Sequence, residues 1–376
     1  MRRFQGALVG LVLTVASGCP APTSSPTPSP APTRQRAELV PVGDMPVAVQ
    51  EKLGELAALQ DPTKALALVA VLEPQAKQSA DLSDYLAGIC GKFGAVDRAL
   101  PLSRQAVRLA PKSATVVLHL GQLEQSLGDS QSAGEHLSTA ATLAPDVPEI
   151  HIALARFKER ELHTAEAEAE YREAVALDPQ NPGLLGYLAD NLINQQKYDE
   201  ARKALAQADR FAPDAPPGLT QRAVIAREEA RRGLGTREAK WAEATQLLER
   251  CLSVAPGYPA ALYVQGSVLL DQGKEKEACA ALEAAFAANP QQEGLRVLLG
   301  QLLVRQGEAA RGLALVAYHR RQQEHKEAFE RLASRVAMKP ADRARRQELI
   351  RWCLANGEPA RARLEQSALA TATAPP

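Results

Sequence analysis

Prolines recur through this chain at a fixed interval. Pro111, Pro145, Pro179 and Pro213 are each 34 residues apart, and Pro256 and Pro290 repeat the step. A lattice of small and apolar residues keeps the same period. Ala106, Ala140, Ala174 and Ala208 stand five before the first four prolines, and Ala99, Ala133, Ala167 and Ala201 stand seven earlier again. Two before each proline comes an apolar residue: Leu109, Leu143, Leu177, Phe211, Val254 and Ala288. Such a period marks a supersecondary unit that cannot bury its apolar face alone and must stack on copies of itself. Small residues let two antiparallel helices approach closely, and a proline ends the second helix because its ring cannot continue the hydrogen-bond ladder. Gly94, Gly128, Gly273 and Gly307 stand where the first helix must turn, and glycine enters the left-handed conformation of a helix end without steric cost. Aromatic residues make up only 4% of the chain, so Ala, Leu and Val fill the interior, which favours close-packed helices over sheets.

On the first helices, Leu120-Gly121, Leu154-Ala155, Leu188-Ala189 and Leu299-Gly300 supply a matching apolar-small pair. With these residues at these spacings, the chain resembles the tetratricopeptide repeat family over most of residues 80–372. The resemblance implies an all-α fold: an α-solenoid of helix-turn-helix units wound into a right-handed superhelix with a concave groove. Most aromatic positions of the family pattern hold Leu, Val or Ala here, Tyr171 being an exception. The units read as 80–113, 114–147, 148–181, 182–215, 216–258, 259–292, 293–342 and 343–374, one elongated array over residues 80–374. The fifth unit is longer by nine residues, with Gly233-Leu234-Gly235-Thr236 at its turn, and the seventh by sixteen. Arg320 to Glu327 in the seventh unit is polar but rich in helix formers, consistent with an overshooting helix or with a break into two. Residues 45–79 read as a helical cap or divergent repeat, and Pro101 is expected to kink its helix.

Ahead of the repeats, Arg2 and Arg3 precede thirteen mostly apolar residues, Phe4 to Ala16, and small residues precede Cys19. This is the pattern of a cleaved export signal, and the proline-rich stretch that follows denies it the roughly 20 apolar residues of a membrane-spanning helix. Ala16-Ser17-Gly18-Cys19 resembles a bacterial lipobox, which implies a lipoprotein signal over residues 1–18 and a diacylglycerol-bearing, palmitate-type anchor on Cys19. Pro20 is not Asp, which by the same resemblance favours the periplasmic face of an outer membrane. Residues 19–44, rich in Pro, Ser and Thr, form a tether; in polyproline II form the proline-dense part alone spans about 40 Å.

Lys and Arg total 44 against 44 Asp and Glu, so no general basic field exists to hold nucleic acid. Locally the charge is uneven. Glu124 to Glu200 carries fifteen acidic and five basic residues, and Arg305 to Arg351 twelve basic and six acidic. Two readings follow: a bipolar surface whose basic end, at Arg343, Arg345 and Arg346, meets anionic lipid or cell-wall polymer, or ordinary solvated helix faces. Cys90, Cys251, Cys279 and Cys353 lack metal-type spacing, and no two histidines stand at i and i+4, so neither a metal nor any cofactor is expected. Gly88 to Phe93 lacks the spacing of a phosphate loop, and no pattern of convergent catalytic groups stands out. The chain is therefore expected not to be an enzyme.

The family resemblance places ligand contacts on the concave side of the first helices. The corresponding residues are Gln122, Gln125, Glu149, Arg156, Arg160, Asp190, Asn194, Tyr263, Asp271 and Arg305. The expected function is a membrane-anchored scaffold of the cell envelope that grips a peptide or helix of an envelope protein. The alternative is a protein that binds glycan or cell wall.

Overall fold

The computed structural model describes residues 46–292 and 294–371. The expected signal at 1–18 and the whole stretch before residue 46, Cys19 with its expected lipid anchor included, lie outside the described residues. Eighteen helices and no strand occur among the described residues. In chain order they pair as α1 (Val47–Ala58) with α2 (Pro62–Ala76), α3 (Ala80–Lys92) with α4 (Val96–Leu109), α5 (Ala114–Leu127) with α6 (Ser130–Leu143), and α7 (Pro148–Arg160) with α8 (Thr164–Leu177). There follow α9 (Pro182–Asn194) with α10 (Tyr198–Ala208), α11 (Pro216–Arg232) with α12 (Arg237–Val254), α13 (Pro259–Asp271) with α14 (Glu275–Ala288), α15 (Leu295–Arg305) with α16 (Ala309–Met338), and α17 (Arg343–Ala355) with α18 (Pro359–Thr371). The fold is a helix-turn-helix solenoid. Pro101 lies inside an unbroken α4, and α16 runs as one helix of 30 residues through the polar segment 320–327.

The sequence lattice explains the packing. Ala99, Ala133, Ala167 and Ala201 are fully buried where the two helices of a pair cross. The apolar residues two before each proline behave differently: Leu109, Leu143, Leu177, Phe211 and Val254 stay partly exposed. Helix starts are set by proline in the first turn of α2, α7, α9, α11 and α13, where its missing N–H costs nothing. Asp61 caps α2 by accepting from the backbone N–H of Thr63 at 2.8 Å, and Asp129 caps α6 through Ser132 at 3.1 Å.

Turns between paired helices repeat one left-handed residue. Gly94 and Gly128 adopt φ of 71° and 82°, and the same place 34 and 68 residues beyond Gly128 is taken by Leu162 at 64° and Gln196 at 67°. A Cβ in this region meets the neighbouring carbonyl at a cost of about 1–2 kcal/mol. Leu162 gains little in return, being 84% exposed. Leu162→Gly is therefore expected to stabilise the α7–α8 pair by about 0.5 kcal/mol once the greater freedom of glycine in the unfolded chain is deducted, seen as slower amide exchange in α7.

The described residues fall into two compact units, one of residues 46–145 with 327–371, the other of residues 146–326. In the first, Leu53, Leu72, Leu82, Leu86 and Leu120 form the core of α1 to α5. The last helix pair belongs to this unit: α18 packs on α4, and Leu364 joins the same core. In the second, each second helix packs on the first helix of the next pair, α8 on α9, α10 on α11, α12 on α13 and α14 on α15. The first helices α9, α11 and α13 also touch one another in series, while the second helices stand further apart. The first helices thus line the inner side of this stack.

Candidate partner-binding face

Helices α7, α9 and α11 present a combination of exposed and locked side chains. Arg156 is exposed and holds its guanidinium 4.6 Å from the ring centre of Tyr187, a cation–π contact. Tyr187 is 36% exposed and stacks on buried Tyr171 with centroids 6.4 Å apart. The Tyr171 hydroxyl donates to Oε2 of Glu159 at 2.9 Å, and Nδ2 of fully buried Asn191 donates to Oε1 of Glu159 at 2.7 Å. Oδ1 of Asn191 accepts from Nε2 of Gln195 at 2.6 Å. Burial first, and the charge of Glu159 second, push the Tyr171 phenol far above its ordinary value, so it remains a donor.

Asp190 lies on α9 in this neighbourhood. Its side chain reaches water, yet surrounding protein desolvates it enough to push the carboxyl up to about 6, with the charge of Glu159 acting in the same sense and a hydrogen bond with Gln221 opposing both. Nε2 of Gln221 also donates to the Gly186 carbonyl at 3.1 Å, while its Oε1 is buried without a partner.

Behind this face a second network holds α8 to the end of α9. Glu168 accepts from Nζ of Lys197 at 2.6 Å, from Nη2 of Arg172 at 2.8 Å and from Nε2 of Gln195 at 2.8 Å. Gln195 therefore bridges Glu168 and Asn191. Burial alone would raise the Glu168 carboxyl, but the donors, Lys197 foremost, outweigh it and bring it down to about 2. A carboxyl with a depressed folded value stabilises the fold above its unfolded value near 4.5, and this contribution disappears as pH falls toward 2. Glu168→Gln is expected to cost about 2 kcal/mol at pH 7, after allowance for solvent around the basic partners, and to flatten the acid limb of stability between pH 4.5 and 2. Unfolding by urea at pH 7 and pH 3 measures both effects.

The other residues expected to contact a ligand are placed as follows. Glu149, Arg160 and Asn194 are exposed on α7 and α9. Asp271 is paired to Arg227, whose Nε donates at 2.6 Å, and Arg305 lies 3.4 Å from Glu275. Tyr263 packs between two apolar clusters, with its hydroxyl near Gly294. Gln122 and Gln125 belong to the other unit, where Oε1 of the first and Nε2 of the second are buried without partners. Tyr187, Glu159, Gln221 and Arg227 were not singled out by sequence. Arg227 and Glu159 fall at the twelfth position of their units, as Gln125 does in its own, whereas Tyr187 lies three residues before Asp190. Of the basic end, Arg345 pairs with Asp342 at 3.1 Å and donates to the Arg335 carbonyl at 3.0 Å, and Arg346 pairs with Glu365. Those two guanidiniums are engaged within the protein.

The four described cysteines are buried and free. Desolvation pushes Cys90 up to about 12 and Cys353 to about 11, values at which a thiol is a poor nucleophile. Among the described residues no group of three or more metal-ligating side chains occurs, and no helix is long and apolar enough to cross a membrane.

Comparison with known proteins gives the repeat identity. Residues 163–220 match one family of tetratricopeptide repeats, and residues 237–293 and 263–324 match another of the same description. Type IV pilus assembly protein PilF of Pseudomonas aeruginosa is 31% identical over 110 residues, 29% of this chain and 43% of that protein. Cellulose synthase operon protein C of Pseudomonas fluorescens is 27% identical over 173 residues, 45% of this chain and 13% of that protein. The chain thus spans less than half the length of either curated relative. Among solved structures, a tetratricopeptide repeat protein from Parabacteroides merdae superposes with a TM-score of 0.52 at 18% identity, over 63% of this chain and 91% of its own. Yeast Tom70 gives 0.53 at 17% identity, over 74% and 60%. The chain carries tetratricopeptide repeats and has the solenoid fold of proteins built from them.

Proposed function

We propose that this protein is a lipid-anchored scaffold of the cell envelope, tethered through Cys19, that grips a peptide or helix of a partner protein on the inner face of α7, α9 and α11. The observation that carries the reading is the pairing of exposed Arg156, Tyr187 and Asp190 with the locked network beneath them. Side chains held in place by a satisfied network lose little entropy on binding, and a rigid aromatic beside charged groups is the composition of an interface hot spot. Action is by contact, not by catalysis. A pilus assembly protein and a cellulose synthase operon protein among its relatives support a partner that belongs to an assembly or synthesis machine. Anchoring confines the scaffold to a surface and raises the effective concentration of what it holds.

The test is cross-linking mass spectrometry on membranes from cells making the full chain, beside Cys19→Ser and Arg156→Glu forms. One protein cross-linked near Arg156 or Tyr187, reduced by either substitution, is the expected result. Diffuse cross-links that ignore both substitutions overturn anchor and face together. Retention on purified peptidoglycan stripped of protein would favour the glycan-binding alternative.

A further inference from the structure

Among the described residues, Gln221 stands out on this face because it offers a buried acceptor without a donor, and Asp190 because it is a carboxylate with no cation paired to it. Oε1 of Gln221 is buried with no partner in a residue only 9% exposed, and its Nε2 is held by the Gly186 carbonyl at 3.1 Å. Gly186 leaves space beside that amide: a Cβ there would stand 3.8 Å from Nε2 and 3.9 Å from Oε1 of Gln221. Asp190 lies near enough to the same amide for the Gln221 side chain to oppose the rise of its carboxyl, and it remains open to water. Neighbouring Glu159 has both oxygens filled by neutral donors, Tyr171 and Asn191, so its charge is solvated by the protein without being cancelled. No cation lies within ion-pair distance of Asp190 or Glu159 among the described residues. Of the cations on this face, Arg156 is engaged with the Tyr187 ring and Arg227 with Asp271.

A pair of carboxylates without a counter-cation is costly where surrounding protein desolvates them, as is a buried acceptor left empty. A divalent metal would need six or more oxygens, more than the site offers. A donor carrying positive charge on a slender stem answers both deficits. A guanidinium fork can reach two acceptors at once, and an ammonium can reach them as a point charge.

We propose that Asp190 and Gln221 form a receptor for one basic side chain, arginine in preference to lysine, of the segment bound on the inner face. This rests on the reading of that face as the partner-binding surface and specifies its ligand. An incoming guanidinium beside Asp190 would favour its charged form and so oppose the upward shift that desolvation imposes.

The experiment pans a phage library of random twelve-residue peptides against the immobilised full chain in detergent micelles, then measures the enriched peptides on substituted chains. Expected are peptides with arginine, or less often lysine, fixed at one position, binding Asp190→Asn at least tenfold more weakly and Gln221→Leu several-fold more weakly. Replacing that basic residue by norleucine should cost the same tenfold on the native chain and nothing further on Asp190→Asn. Enriched peptides that lose affinity on Arg156→Glu but bind Asp190→Asn as they bind the native chain would overturn the receptor and leave the inner-face reading standing. Enriched peptides indifferent to every inner-face substitution, or no enrichment at all, would overturn both.

Discussion

Gly312→Ala is expected to loosen the α15–α16 pair by about 3 kcal/mol, although the substitution adds one methyl group at a helical position. A Cβ on Gly312 would stand 2.4 Å from the Gly300 carbonyl oxygen and 2.8 Å from Cγ2 of Val304. In return, a Cβ on Gly300 would stand 2.8 Å from the Gly312 carbonyl oxygen. The obstruction is backbone on both sides, so no rotamer change relieves it and the helices must separate. Alanine recovers about 1 kcal/mol through its better helix propensity, which keeps the net loss from being larger. At Gly266 the obstruction is a side chain: its Cβ would meet Cγ and Cδ2 of fully buried Leu282 at 2.6 and 2.7 Å, with the Ala278 carbonyl oxygen at 3.3 Å, so Gly266→Ala is also expected to destabilise its pair. Gly54 has nothing within 4 Å, and Gly54→Ala should stabilise α1. Because each pair in a repeat array contacts only its neighbours, the Gly312 effect should stay local. Amide exchange in α15 and the first turns of α16 should quicken by about a hundredfold, as a factor of ten corresponds to about 1.4 kcal/mol, with α7 to α10 unchanged. Unaltered protection in α15 would mean that the two helices part freely.

The repeat lattice is legible in sequence because it reports contacts made at a fixed separation. Ala99, Ala133, Ala167 and Ala201 are buried since each faces its own partner helix a few residues away, and the turn glycines show positive φ for the same local reason. The lengthened fifth unit follows from counting: α11 and α12 grow to 17 and 18 residues on either side of the turn that begins at Gly233. The inner face is only half legible. Family positions single out Arg156, Asp190 and Asn194, but whether a side chain is open or occupied depends on its neighbour one repeat away. Asp271 looks available in sequence and is taken by Arg227, 44 residues earlier. Glu159 looks like an ordinary solvated charge, yet Asn191, 32 residues later, binds it. Nothing periodic announces such pairs, since each is a meeting of two particular residues. Least legible of all is the packing of α18 on α4, where Arg363 and Asp97 are 266 residues apart.

That return of the last pair yields the other large expected effect. Nη2 of Arg361 donates to the Ser126 carbonyl at 3.0 Å, and Ser126 belongs to the last turn of α5, whose carbonyls lack helical partners and carry the negative end of the helix dipole. The same guanidinium lies 4.0 Å from the ring centre of Phe329, which packs beside Gly128 at the end of α5 and 5.8 Å from the ring of Trp352. Nearby, Nε of Arg363 bonds Oδ2 of Asp97 at 2.6 Å, and Leu364 enters the apolar core of α1 to α5. One arginine therefore caps a helix 235 residues earlier while stacking on an aromatic ring. Arg361→Glu should cost about 3 kcal/mol: it removes a charged hydrogen bond and a cation–π contact, and it sets a carboxylate against the negative end of α5. Arg361→Lys keeps the charge but loses the planar fork, and should cost about half as much. The contrasting substitution, Arg363→Ala, removes a pair more than half exposed on its basic side and should cost under 1 kcal/mol. Amide exchange in α17 and α18 separates these cases. Release of both helices in Arg361→Glu with α1 to α3 still protected means that the last pair is held to the rest of its unit by this arginine, whereas equal protection in all three variants would assign the attachment to Leu364 and the apolar contacts alone.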